Sequence, residues 1–597
     1  MDDLGGILSP EELLFNTVHC WEDVRRQGPE MMRPPRKFRE VTLHADTEND
    51  QPDAVSSIHV PMQRVYTCTT YPVLTTYYAN QPCTDFTAAT LLNELNSFLG
   101  TSERRSRTRH SFLDTYISRS YDFGTTLGHL RSLWYDDINT LANTLRIREA
   151  EDHAMRQKAL ANSRIINPKT PPRRVWDLYS NRVVPYWVIR STMRSKLWAI
   201  SHAWMDEHDR SNVMTPINGR EWPVPMPKGS SLNLIRIEML GKGAEYVWLD
   251  VLCLRQKGGK REDLREEEWK LDVPTIGHVY RMATKVVYYF SGLGLPFRFE
   301  IDSLQSKRCW FNRAWTLQEI GRNRIVGGLT DGTPSRSAMQ TSREDHHAGD
   351  RLRTFYQKLG CFENLSSTTH NVVHALALMQ DRVSQNPVDK IAGLAFLLES
   401  NTIPAYYETQ SVEDAWTALV NTMQKRYRAQ LLFLYPNPGD GDTRWRPSWK
   451  QVMAEVPSFE EDPCVYGDLR WDEKMNVDTF KGYCIWSGGY VRGLAVGNPE
   501  GGLRHGELLV RDWRRKLHTF QIVATHQHPI PDGPYSLLSN NGLGVLYSDK
   551  HWVAGKMRPG KVGPKFEKVS VFELPDEEEL LRLIALGLAE RGRISLM

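Results

Sequence analysis

The spacing of apolar residues changes along this chain, and each change marks a different kind of element. From Pro10 to Arg26, Leu13, Leu14, Val18 and Trp21 recur at three- and four-residue intervals, which predicts an amphipathic helix. Pro29 to Gln63 loses that period and fills with Pro, Asp, Glu and Lys, so an irregular segment is expected. Helical spacing returns from Asp85 to Leu99 and from Ser118 to Asn162, where Leu127, Leu130, Leu133, Leu141 and Leu145 recur. Between them Arg104, Arg105, Arg107 and Arg109 read as a solvated basic loop, with a phosphate or localisation site as the alternative. Residues 1–174 thus form a mainly helical region, closed by the Pro-rich stretch Asn167 to Arg174.

From 175 to 330 short apolar runs alternate with helical patterns, as in a parallel sheet covered by helices. Strands are expected at Leu197–Ile200, Tyr246–Leu254, Lys285–Phe290 and Arg324–Val326. Helices are expected at Ser231–Leu240, along Trp269, Val273, Ile276, Tyr280 and Ala283, and from Trp310 to Arg322. In the last of these Trp315 and Glu319, four residues apart, would share a face. Ligands of such sheets sit beyond the carboxyl ends of the strands, where Ser201, His202, Gln256 and Ser291 fall. Asp250 joins them if its strand stops early.

Residues 331–434 read as a polar linker, Thr330 to Asp350, followed by helices. After Tyr435 Gly and Pro become dense. Runs such as Tyr490–Val496, Leu508–Val510, Gln521–Ala524 and Gly544–Tyr547 predict a β-rich domain over 435–597, ending in a helix from Asp576 to Arg591. The fold class expected is α/β: a central parallel-sheet domain, a mainly helical N-terminal region and a β-rich C-terminal domain.

Composition narrows the partners. The 75 basic and 72 acidic residues leave a formal charge of +3, so no large basic field advertises nucleic acid. The eight cysteines lack the short paired spacings of a zinc site or disulfide framework, which suits a reducing cytosol. Met1-Asp2-Asp3 is acidic where a signal peptide would be basic, and no run of roughly 18 apolar residues offers a membrane span. A cytoplasmic protein is expected, with no membrane partner and no metal: His346-His347 and His526 with His528 lack further ligands.

Three blocks carry a resemblance. Ile200-Ser201-His202-Ala203-Trp204, the run from Val247 to Gln256, and Arg313-Ala314-Trp315-Thr316-Leu317-Gln318-Glu319 resemble, in order and spacing, those of the fungal heterokaryon incompatibility (HET) family. The helix Ile276 to Ala283 and the segments Pro387–Leu394 and Arg446–Trp449 extend the resemblance over roughly residues 180 to 450. One departure is Met205, where family members usually carry Gly after the Trp of the first block.

The resemblance implies a TIR-like (flavodoxin-like) central domain and a role in self/non-self recognition and programmed cell death. It also implies NAD cleavage, with no cofactor required. Glu319, four positions after Trp315, would be the catalytic carboxylate; Ser201, His202, Trp204, Asp250, Gln256 and Trp315 would bind the dinucleotide. Protein partners or self-association are implied, and a non-enzymatic module that oligomerises to signal is the alternative. Each residue also has a plainer reading: Glu319 paired with Arg322 on a helix surface, Asp250 capping a loop, His202 a hydrogen-bonded structural histidine. Trp198, Trp248 and Trp310 read as core, and Cys253 as a buried small hydrophobe.

Overall fold

Every residue from Leu197 to His202 is buried, as expected of a strand covered on both faces and flanked on both edges. It is the third strand of a six-stranded sheet: β1 (Arg174–Asp177), β2 (Arg182–Pro185), β3 (Leu197–His202), β4 (Tyr246–Trp248), β5 (Lys285–Tyr289) and β6 (Arg324–Val326). The strand order is β6-β5-β3-β4-β1-β2. β4, β3, β5 and β6 run parallel, whereas β1 and β2 are antiparallel additions beside β4. The protein is therefore mixed α/β. Because the chain goes from β3 to β4 on one side and then crosses to β5 on the other, the topological switch point, where an open sheet of this type receives ligands, falls at the carboxyl ends of β3 and β5.

The computed structural model describes residues 38–48, 57–102, 107–135, 138–189, 196–298, 306, 309–321, 323–331, 355, 357–360, 371–457, 465, 467–539, 550–560 and 563–597. The chain divides into two compact units, Met1–Phe362 with Ala405–Tyr407, and Glu363–Pro404 with Glu408–Met597. The helix expected over Pro10–Arg26, the strand expected over Gly544–Tyr547, Arg104, Arg105 and the pair His346-His347 lie outside the described residues.

In the first unit, α1 (Ala88–Leu99), α2 (Arg107–Ser118), α3 (Phe123–Leu130) and α4 (Ile138–Ala159) precede the sheet. Arg107 and Arg109 thus belong to a helix rather than a loop. The region read as irregular contains a strand, Val41–His44, which pairs with Val65–Cys68 because Val41 and Leu43 alternate inward. Between β4 and β5 stand α6 (Asp250–Cys253), α7 (Glu262–Asp272) and α8 (Ile276–Met282), and α5 (Leu232–Gly241) precedes β4. Pro274, which has no amide N–H to donate, falls between α7 and α8, where one continuous helix was expected. The apolar run from Tyr246 continues past Trp248 as a buried helix, since such a run does not distinguish the two.

One buried cation ties α3 to the sheet. Arg131 donates twice to Asp177 at the end of β1, both at 2.7 Å, and once to Glu245 before β4, also at 2.7 Å. Its guanidinium lies between the rings of Tyr179 and Tyr246, 4.7 and 4.4 Å from their centroids.

The second unit holds α9 (Val372–Gln380), α10 (Val388–Ala395), α11 (Val412–Thr422), α12 (Lys425–Phe433) and α13 (Trp449–Ala454). A β-rich part follows: β7 (Asp468–Asp472), β8 (Val477–Arg492), β9 (Arg504–Arg511), β10 (Leu517–Ala524), β11 (Gly533–Ser539), β12 (His551–Arg558), β13 (Lys565–Glu573) and β14 (Glu590–Leu596). β8, β9, β10, β13, β12 and β11 close into a ring, since β8 pairs with both β9 and β11. Its interior is filled by Val491, Leu508, Val510, Phe520, Ile522, Leu537, Trp552 and Phe572. The last helix, α14 (Glu577–Ala585), is shorter than expected. Gly587, at φ +63, turns the chain into β14, which pairs with β8 and β13.

Replacing Arg131 with Met should lower stability by about 3–5 kcal/mol, because two buried carboxylates lose their counter-charge. Urea denaturation measures this, and a loss below about 1 kcal/mol would show that the pair is dispensable.

Candidate functional site

β3 ends in two polar side chains that are buried, and a buried polar group must find a partner. Ser201 Oγ donates to Glu319 Oε2 at 2.5 Å and accepts from the indole Nε1 of Trp310 at 2.7 Å. His202 Nε2 meets Asp250 Oδ1 at 2.8 Å. The second oxygen of Asp250 accepts from Trp204 Nε1, also at 2.8 Å, and its first accepts from the Val251 amide at 2.7 Å. One carboxylate at the start of α6 therefore fixes both a histidine and a tryptophan from the end of β3. The His202 and Trp204 rings stack at 6.0 Å, and Arg210 covers Trp204 at 5.5 Å.

The segment carrying Glu319 is not the α-helix expected over 310–322. It forms two single 3-10 turns, Trp310–Asn312 and Trp315–Leu317. Thr316 Oγ1 donates to the carbonyls of Trp310 and Arg313, a side-chain bond that competes with continued helix. Downstream, Tyr288 of β5 captures the backbone, donating to the Glu319 carbonyl and accepting from the Gly321 amide, each at 2.9 Å. Glu319 consequently turns inward toward Ser201 instead of lying on a helix surface, and Arg322 lies outside the described residues.

The two carboxyl groups have opposite protonation tendencies. Burial pushes the Glu319 carboxyl up to about 7, and the charge of Asp250 adds to this, while the Ser201 hydrogen bond and His202 only partly oppose it. Burial acts on Asp250 in the same direction, but His202 and the hydrogen bonds from His202, Trp204 and Val251 outweigh it and hold Asp250 below its ordinary value. For His202 burial favours the neutral ring, yet Asp250 overcomes this and raises its pKa. A carboxyl kept near neutrality beside one kept ionised is an arrangement that acid–base sites use.

The structure thus brings Ser201, His202, Trp204, Asp250 and Glu319 together at the carboxyl ends of the central strands. Gln256 lies at the edge, its amide donating to the carbonyls of Leu254 and Asp250 at 3.0 and 3.4 Å. Half-buried Trp315 makes no hydrogen bond or ring contact with this cluster among the described residues. Ser291 is engaged locally, accepting from the Arg298 amide at 3.0 Å. Cys253 is buried, which raises its thiol to about 12 and leaves little thiolate. Met205 reaches over the turn after β5: a β-carbon on Gly292 would come 3.2 Å from its sulfur, and Gly292, at φ +112, leaves that space.

Two participants are absent from the residues the sequence nominated. Trp310 was read as core only, although a buried indole N–H needs an acceptor. Tyr288 carries no local signal, since its role depends on a segment some thirty residues later. Among the described residues no group of three His, Cys, Asp or Glu side chains is placed to hold a metal. His526 is held neutral: burial lowers its pKa to about 4, and its Nε2 meets the Val571 carbonyl at 2.7 Å.

The class of protein is therefore a mixed α/β chain with a buried polar, carboxylate-bearing cluster at the carboxyl ends of its central strands. The family model described as Heterokaryon incompatibility protein (HET) matches residues 198–294, a segment that starts in β3 and ends after β5. This match supports a HET domain here, the kind of domain associated with heterokaryon incompatibility. No curated protein and no solved structure matches the chain.

Because the folded state prefers protonated Glu319, its contribution favours folding most below the ordinary carboxyl range and is lost as pH rises toward and through about 7. Glu319→Gln should therefore gain thermal stability relative to the parent between roughly pH 5 and 8. Parallel melting curves that keep a constant difference across that range would refute the buried-carboxyl assignment. In Asp250→Asn, His202 should titrate below 6.5 instead of above it, as followed by NMR of its ring protons.

Proposed function

We propose that this protein acts in heterokaryon-incompatibility-type self/non-self recognition and cell-death signalling in a fungal cell, through TIR-like cleavage of NAD. The observation that carries the reading is Glu319, bound to Ser201 at 2.5 Å beneath the Asp250-fixed pair His202 and Trp204. Breaking the bond between nicotinamide and ribose passes through an oxocarbenium-like state, which an ionised Glu319 would stabilise until a water adds to the ribose carbon and loses a proton, leaving ADP-ribose. Nicotinamide leaves as a neutral molecule, so no general acid is needed. Trp204, covered by Arg210, would stack on a ring of the dinucleotide once Arg210 gives way, and protonated His202, whose two ring nitrogens meet Asp250 and the Ala203 carbonyl, would attract a phosphate by its charge rather than by a hydrogen bond. Ser201 would hold the carboxylate in place, with Trp310 fixing the hydroxyl in turn.

A second reading, a non-enzymatic module that signals by self-association, draws on the same burial. Ser201, Trp310 and Glu319 satisfy one another, so the trio also serves as an internal tie between β3 and the 310–321 segment.

Purified protein incubated with NAD should release nicotinamide, and Glu319→Gln should slow the release by about a hundredfold or more. Since the ionised carboxylate is the reactive form, the rate should climb as pH rises through about 7. Release that is equal in both proteins would remove Glu319 from the chemistry. No release from either, with toxicity in a fungal host unchanged by the substitution, would favour the self-association reading.

A further inference from the structure

The strands β9 and β10 of the second unit are joined by Asp512-Trp513-Arg514-Arg515-Lys516, and this turn is built without help from its tryptophan. The Asp512 and Lys516 main chains pair at 2.9 Å, the Arg515 amide donates to the Asp512 carbonyl, and Asp512 Oδ1 accepts from the Lys516 amide at 2.8 Å. Asp512 Oδ2 meets His518 Nε2 at 3.1 Å, so the only acid of the turn spends both oxygens inward. Trp513 is left 83% exposed, with the guanidinium of Arg514 4.5 Å from its ring.

Strand alternation adds to this apolar tip. Leu508 and Val510 of β9 face the interior, so Leu509 and Arg511 face out; Tyr490 pairs with Leu509, and Leu517 with Arg511. Leu517 and Tyr490 are 49% and 41% exposed. Around them Arg511, Arg514, Arg515 and Lys516 are exposed, and among the described residues none pairs with a carboxylate.

We propose that this hairpin tip docks on an anionic lipid surface. An indole and a leucine projecting from a turn seek an apolar layer beside water, and the surrounding cations match negative headgroups. The tip is a protruding turn, so it needs a yielding surface more than a shaped pocket. No described helix is long and apolar enough to cross a membrane, and the contact proposed is peripheral.

The full chain is to be sedimented with vesicles of phosphatidylcholine alone and of phosphatidylcholine with phosphatidylserine. Binding is expected only to the anionic vesicles, and should weaken with added salt. Trp513→Ala with Leu517→Ala, and Arg514→Glu with Arg515→Glu, should each reduce it by about tenfold or more. Because these side chains lie outside the core, unchanged melting curves separate lost docking from lost folding. Absence of binding to anionic vesicles, or equal binding by both variants, would overturn the proposal. So would capture of a single-stranded oligonucleotide by the tip where vesicles fail, which would assign it to nucleic acid.

Discussion

The candidate site rests on one constraint: β3 is buried along its whole length yet ends in Ser201 and His202, whose polar groups have no water to turn to. Leaving such a group unpaired costs about 1–3 kcal/mol. Each residue therefore recruits a partner from elsewhere in the chain. Ser201 takes Trp310 and Glu319, which draws the segment after β5 against the end of β3. His202 takes Asp250, which in turn fixes Trp204. The cluster is thus the way a central strand terminates, and its chemical character follows from the residues that terminate it.

Those partnerships set the charge states. Asp250 receives a positive or polar neighbour for nearly every lone pair and stays ionised. Glu319 receives a single hydroxyl in a dry environment and holds its proton near neutrality. Two carboxyl groups of the same chemistry, on neighbouring connections of one sheet, are separated by the charge of His202 and by hydrogen-bond supply. The same principle operates without chemistry at Arg131, where two acids and two tyrosine rings surround one guanidinium.

Much of this was legible locally. The strand Arg324–Val326, the helix from Ser231 and the closeness of Ser201 and His202 to a strand end follow from periodicity. The apolar run from Tyr246 was ambiguous because a buried helix and a buried strand look alike in it. The segment from Trp310 to Glu319 misled because helical spacing ignores Thr316, whose hydroxyl takes main-chain carbonyls, and Tyr288, which captures the backbone from a distant strand. What local spacing lacked was tertiary: which indole, phenol or carboxylate would arrive to satisfy a strand end.

The long strand β8 has a further consequence in the order of folding. Its first half lies between β7 and β14, and Phe480 faces Ile594 across a pairing that spans most of the second unit's β-rich part. On the ribosome β7 and β8 emerge long before β14, so one edge of β8 waits with its backbone groups open. The pairing of β8 with β14 is a late and non-local event, slow relative to the helices that precede it. During that interval the chain carries an exposed strand edge of the kind that chaperones bind or that other chains pair with.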